Sequence, residues 1–171
     1  AEHAAAIDKA VLPGMQGGPI MSAIAAKAVA LHECQQSSFQ SYAKNVIKNS
    51  KALAAGLVAE GMRAISGGTE THLALIDVTG AGVTGKEADE RCGASGITLN
   101  KNSIPFDPNP PAVTSGIRVG TPSTTTQGMG ESEMAVIAKL ITRAIKSDDA
   151  AVHSQIKSEV QELVAKFPIY S

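Results

Sequence analysis

Apolar side chains recur at helical spacing over residues 4–12, 20–31 and 38–61, the last marked by Tyr42, Val46, Leu53 and Leu57 with lysines between them. Pro13-Gly14 stops the first of these helices, and the third ends near Gly61. The period then shortens to that of strands. Residues 62–66 predict a short strand and residues 72–78 (HLALIDV) a buried one, with the turn Ser66-Gly67-Gly68 between them. Thr84 and Glu87 have capping-box spacing and open a short helix over 85–94, which Gly93 and Gly96 end before Ile97-Thr98-Leu99 returns as a strand. Ile117 and Val119 alternate with Arg118, which predicts a strand with one apolar face and the arginine on the other. A polar turn follows over 121–130. The helix predicted over 131–146 has acidic residues in its first turn, basic ones in its last, and a core face of Met134, Ile137, Ala138, Ile141 and Ile145. A final helix runs from about Asp148 to Phe167 and is stopped by Pro168. This order predicts an α+β fold, helices packed on a small, mainly antiparallel sheet. No run of strands alternates with crossover helices, so a complete nucleotide-binding sheet is excluded.

Residues 98–120 are the stretch with the most chemistry in it. Pro105, Pro108, Pro110 and Pro111 fix φ and remove backbone donors, so the segment is a pre-shaped loop rather than a helix or central strand. It feeds the strand that carries Arg118, whose planar guanidinium suits paired hydrogen bonds to a carboxylate or phosphate. A second place for an anion is GMQGGP, residues 14–19. Pro19 stands where a first helical residue would, and Gly17-Gly18 leave backbone amides unobstructed. The same glycines also read as a tight link between two helices.

Other motifs carry less. Residues 80–86 match GxxxxGK between a strand and a helix, but Glu87 follows where a phosphate-binding loop needs Ser or Thr for magnesium, and its carboxylate would repel phosphate. The motif is read as a helix start. His72 opens a strand without a second ligand-type residue at metal spacing and is read as a hydrogen-bonded structural histidine. His3, His32 and His153 are scattered, and neither a GxSxG nucleophile turn nor paired carboxylates appear, so no catalytic set and no metal site is predicted.

Composition narrows the classes further. At 171 residues the chain can bury a real core, and with 43 % hydrophobic residues but only 3 % aromatics that core is built of Ala, Val, Ile and Leu. A formal net charge of −1 with both signs interspersed argues against nucleic acid or a membrane surface as partner. Cys34 and Cys92 form no CxxC pair and no disulfide framework, which fits a reducing cytoplasm. The start, AEHAAAIDKA, has neither methionine nor a signal peptide's order of basic then apolar residues, and the chain is read as a fragment or processed product.

LPGMQGGP (12–19), IAAKAVA (24–30), SGGTETHLALIDV (66–78), TGKEAD (84–89), GITLNKNSIPFDP (96–108) and VTSGIRVGTPSTTTQGMGESEM (113–134) together resemble the C-terminal part of the serine hydroxymethyltransferase family, over essentially the whole chain. The resemblance implies the small C-terminal domain of an aspartate-aminotransferase-like pyridoxal-phosphate fold. It also implies a cytoplasmic transferase that interconverts serine and glycine with tetrahydrofolate as one-carbon acceptor, acting as a homodimer or dimer of dimers. On that basis residues 1–35 are an interdomain segment and helix, and residues 36–171 the small α+β domain. Arg118 would bind the substrate's α-carboxylate, and Gly17 and Gly18 would lie near the cofactor phosphate of a neighbouring subunit. Asn102, Ser103, Pro110, Pro111 and Ala112 would line the folate site.

The sequence departs from the family pattern in places that matter. The Schiff-base lysine of the family lies in a Thr-His-Lys tripeptide that this chain does not contain, so no catalytic residue is assigned in it, and the fragment alone is expected to be inactive and not to hold pyridoxal phosphate. Ala112 stands at a position usually aromatic and Gln127 at one usually basic. Two readings from other classes remain beside this one: a P-loop-like nucleotide-binding domain, resting on residues 80–86, and a stand-alone assembly domain.

Overall fold

A computed structural model describes residues 1–169 and divides the chain into two compact units, Ala1–Gln40 and a larger one beginning at Ser41. The first unit contains α1 (Ala4–Lys9), a π-helical turn (Ala10–Met15) and α2 (Met21–Cys34). None of these three elements contains a buried residue. Leu12 leaves helical geometry (φ −132°, ψ 118°), as a residue before proline must when its α conformation would clash with the ring. Pro19 is not the first helical residue. Ile20 caps α2 in an extended conformation and the helix starts at Met21, so Gly17 and Gly18 lie in a non-helical lead-in rather than among the first-turn amides.

Most of α3 (Ser37–Ala59) belongs to the second unit. Four strands follow in that unit: β1 (Arg63–Ala64), β2 (Leu73–Asp77), β3 (Asn100–Asn102) and β4 (Gly116–Gly120). They form one sheet in the order β1-β2-β4-β3 with every pair antiparallel, as an α+β fold with a mainly antiparallel sheet requires. Alternation decides the two faces. Ala74 and Ile76 of β2 and Ile117 and Val119 of β4 are buried beneath the helices, whereas Leu73 and Leu75 are half-buried on the other face and Arg118 is exposed there. The core is completed by Leu53 and Leu57 of α3, by Met134, Ala138, Ile141 and Ile145 of α6 (Glu131–Lys146), and by Ile156 of α7 (Ala150–Ala165). His153 joins the last two helices, its Nε2 lying 3.0 Å from the Ser147 carbonyl oxygen.

Three expected elements change. β1 keeps only two residues of its predicted span, because Ser66 (φ 56°) and Gly67 (φ 77°) turn the chain into a 3-10 turn, Ile65–Gly67. The strand expected at 97–99 is displaced to Asn100–Asn102. Leu99 is buried and Ile97 half-buried, so their alternation records packing, while the hydrogen-bonded ladder to β4 is made by the polar residues that follow. The polar turn after β4 contains a short helix, α5 (Pro122–Thr126). Pro122 takes its first position, and the Thr124 and Thr125 hydroxyls donate to the Thr121 carbonyl at 3.1 and 2.7 Å.

The remaining helix, α4 (Gly85–Ala94), starts with the predicted capping box: Glu87 N donates to Thr84 Oγ1 at 3.2 Å, and Thr84 N donates to Glu87 Oε2 at 2.7 Å. Gly85 at its start admits no side chain, since a Cβ there would strike Thr114 Oγ1 and the Gly116 carbonyl oxygen. Its amide donates to Thr114 O at 3.0 Å, and Lys86 N donates to Val113 O at 2.9 Å. The proline loop is thereby fastened to the helix.

Candidate functional site

Arg118 lies at the centre of β4, directly opposite Leu75 of β2 on one side and Asn100 of β3 on the other. Two ladders therefore fix its backbone, and the pleat turns its side chain away from the core. The chain has four arginines, and three are engaged within the fold. Arg63 pairs with Asp77 at 2.6 Å, Arg143 with Glu159 at 2.6 Å, and Arg91 donates to the Ile145 carbonyl at 2.6 Å. Arg118 reaches only the Asn100 Oδ1, at 3.5 Å, and among the described residues it forms no ion pair. Its guanidinium therefore keeps donors available for a carboxylate or phosphate. It lines a surface recess with His72, Leu73, Thr98, Asn100 and Gly120, none of which is acidic. His72 differs from the expected hydrogen-bonded residue. It is exposed and makes no side-chain hydrogen bond among the described residues, because β2 begins one residue after it.

Asn102 pairs with Gly116 at the end of the β3–β4 ladder, so the proline loop leaves and re-enters the sheet at one edge. Ser103, Pro110, Pro111 and Ala112 are exposed on it, and Asn102 is half-buried with its Nδ2 donating to Ser103 O at 2.8 Å. Phe106 is fully exposed at the turn of the loop. The prolines lack amide donors, and beside the backbone turn bonds and the tether to α4 the loop's two limbs are joined by one side chain the sequence reading did not single out. Asp107 Oδ2 accepts from Ile104 N at 3.0 Å and Ser115 N at 2.9 Å, and its Oδ1 accepts from Asn109 N at 2.9 Å and the Ser115 hydroxyl at 2.5 Å. Asn109 Nδ2 adds a bond of 2.9 Å to Ser115 Oγ. Desolvation pushes the Asp107 carboxyl upward, but the Ser115 hydroxyl and the Asn109, Ile104 and Ser115 amides outweigh it and hold the group at about 2. Asp-Pro-Asn is a turn signal that could have pointed to the Asn109 bond, whereas nothing local announces Ser115.

The other predicted residues fall outside this cluster. Gly17 and Gly18 belong to the first unit, where both are exposed and a Cβ on either would meet nothing within 4 Å. Gln127, which follows α5, donates to the Phe167 carbonyl at 3.4 Å. The GxxxxGK stretch does not form a phosphate loop. Glu87's carboxylate occupies the start of α4, where phosphate would sit, and Lys86 lies 3.8 Å from Glu90. Among the described residues no group of three His, Cys, Asp or Glu could hold a metal ion, and no helix is long and apolar enough to cross a membrane.

The second unit is thus a small α+β domain that presents Arg118, without an ion pair among the described residues, on an open sheet face beside a braced loop. Its family is settled by comparison. The family model described as serine hydroxymethyltransferase matches residues 1–141, and the chain belongs to that family. Among its relatives, the serine hydroxymethyltransferase of Acidobacterium capsulatum is 51 % identical over 170 residues, covering 99 % of this chain and 40 % of that protein. The serine hydroxymethyltransferase of Coprothermobacter proteolyticus is 49 % identical over 170 residues, covering 99 % of this chain and 41 % of the relative. The chain thus spans about two-fifths of the length of the curated relatives it matches.

Proposed function

We propose that this chain supplies the amino-acid-binding and folate-facing part of a cytoplasmic, pyridoxal-phosphate-dependent serine hydroxymethyltransferase, which interconverts serine and glycine with tetrahydrofolate. The observation that carries the reading is Arg118, the arginine that the fold leaves without a carboxylate while engaging the other three. Its guanidinium takes the substrate's α-carboxylate through two parallel hydrogen bonds, which fixes the amino acid's orientation and excludes substrates without that group. Asn102 and Ser103 on one limb of the proline loop, and Pro110, Pro111 and Ala112 on the other, form the wall against which the folate lies. The half-buried Asn102 amide offers both a donor and an acceptor to a pterin edge.

The cofactor, when bound, supplies the electron sink on which the reaction at the amino acid's carbons depends. Gly17 and Gly18, in the exposed lead-in before α2, would lie near the cofactor phosphate of a neighbouring subunit, a placement that rests on the family resemblance alone. The lysine that anchors it comes from a Thr-His-Lys sequence that the 171 residues do not contain, so the chain by itself is inactive in this proposal. Residues 1–35 connect to the large domain and residues 36–171 form the small one, within a homodimer or dimer of dimers. The test is turnover by the longer protein containing this chain. Release of glycine from serine that requires both pyridoxal phosphate and tetrahydrofolate is expected, and a loaded protein without folate-dependent turnover would overturn the reading.

A further inference from the structure

The proline loop has to hold its two limbs at a fixed separation, yet its own backbone bonds stay within one limb or the other: Asp107 N to Ile104 O at 3.1 Å on the first, Val113 N and Thr114 N to Pro110 O at 2.9 and 3.0 Å on the second. Four of its residues are prolines without an amide donor, and Phe106 (φ 57°) and Thr114 (φ 60°) are in the left-handed conformation that costs non-glycine residues energy. Asp107 closes it. Each carboxylate oxygen accepts one bond from the loop, Ile104 N or Asn109 N, and one from Ser115, which immediately precedes β4. Ser115 is itself fixed, since it is buried and its carbonyl accepts from Val78 N at 3.1 Å. The carboxylate is thus the node joining the limb that begins at Ser103 to the limb that ends at Ser115.

We propose that Asp107 is the positioning residue of the folate wall: its carboxylate, clamped between Ile104, Asn109 and Ser115, sets the distance between Asn102-Ser103 and Pro110–Ala112 and so governs affinity for the folate co-substrate, without a part in binding the amino acid. This rests on the functional reading above and deepens it. The separation of the two roles comes from the sheet. Arg118 is held by ladders to β2 and β3 and makes no bond to the loop, whereas Ser103, Pro110, Pro111 and Ala112 lie within it and Asn102 ends the β3–β4 ladder from which it leaves. Because the carboxyl is held down to about 2 by the bonds it accepts, it stays ionised and keeps the node intact throughout the neutral range.

The experiment uses the full-length holoenzyme with Asp107→Asn, which keeps the shape of the side chain but replaces one acceptor oxygen by a donor facing the Asn109 amide. The KM for tetrahydrofolate should rise roughly 10- to 100-fold, as displacement of a binding surface by a fraction of an ångström to an ångström does, while the KM for serine stays within about threefold. Ser115→Ala, which removes only the hydroxyl, should shift the folate KM in the same direction by a smaller factor. It carries the test if the first variant does not fold. A general loss of stability would move both constants together, and that result, or a folate KM within about threefold of wild type, would overturn the proposal. Failure of the wild-type enzyme to use serine and tetrahydrofolate would instead remove the functional reading on which it stands.

Discussion

At the scale of single residues, the two cysteines have opposite chemistry. Cys92 is fully buried in α4, and burial, with the negative charge of Asp89 adding to it, pushes its thiol up to about 12. Cys34 is exposed in the described structure. Alkylation of the native chain at pH 8 should therefore label one thiol, with the second reacting only after denaturant is added. Two thiols reacting at similar rates would contradict the packing around α4. Arg118 could be read in the sequence because its whole signal is local: two apolar neighbours place it on the outer face of a strand. Asp107 could not, because its role depends on Ser115, eight residues on, arriving within hydrogen-bond reach. His72, read as a hydrogen-bonded structural histidine for want of a second ligand at metal spacing, is instead exposed just before β2, since the lack of a metal partner says nothing about what else a side chain bonds.

Elements were legible where a terminus carries its own chemistry. The capping box of α4 is the clearest case, and Thr84→Ala should cost about 1 kcal/mol, read as a lower denaturation midpoint with an unchanged m-value. An unchanged midpoint would show the hydroxyl's bonds to be replaced by water. Gly85→Ala tests the same junction more harshly. Its Cβ would meet the Gly116 backbone carbonyl, which cannot swing aside as a flexible side chain could, so this variant should destabilise by several times the cap's contribution. Thermal melts of the two variants side by side give the ranking, and a milder effect from Gly85→Ala would refute the close approach. Where partners lie far away in sequence, pattern alone placed an element wrongly. β3 moved three residues because ladder pairing is decided by the edge that β4 offers, and α5 formed from threonines of poor helix propensity because Pro122 and hydroxyl-to-carbonyl bonds favour it.

For the whole molecule, acidic groups set the pH range of stability. Asp77, Glu87, Asp107, Glu133 and Glu159 are all held below their ordinary values. For Glu87 the cause is the amide and hydroxyl of Thr84. For Asp77 desolvation opposes the shift and is outweighed by bonds from Thr79 and Arg63. A carboxyl lowered by folding contributes stability above its unfolded value and loses it as pH falls through the folded one. Asp107 thus loses its contribution between its ordinary 3.8 and about 2. Melting temperature should be flat near neutrality and fall below about pH 4.5, and Asp107→Asn should flatten the lowest part of that fall. The same profile in wild type and variant would remove Asp107 from the acid response.

The order of helices and strands and the antiparallel sheet were readable because amphipathic periods report which faces are covered. That the proline loop feeds the strand of Arg118 was also legible, whereas the pairing of Arg118 with Leu75 and Asn100 needed the β2-β4-β3 register, which no local pattern encodes. The claim on which the account depends is that Arg118 receives the amino acid's carboxylate. The most direct measurement is serine kinetics of the full-length holoenzyme with Arg118→Ala, paired with its melting temperature. The account predicts a fall in kcat/KM for serine of roughly two orders of magnitude or more, with the melting temperature close to wild type because the side chain is exposed and bonded to little else. Near-normal serine kinetics in a folded Arg118→Ala enzyme would contradict it.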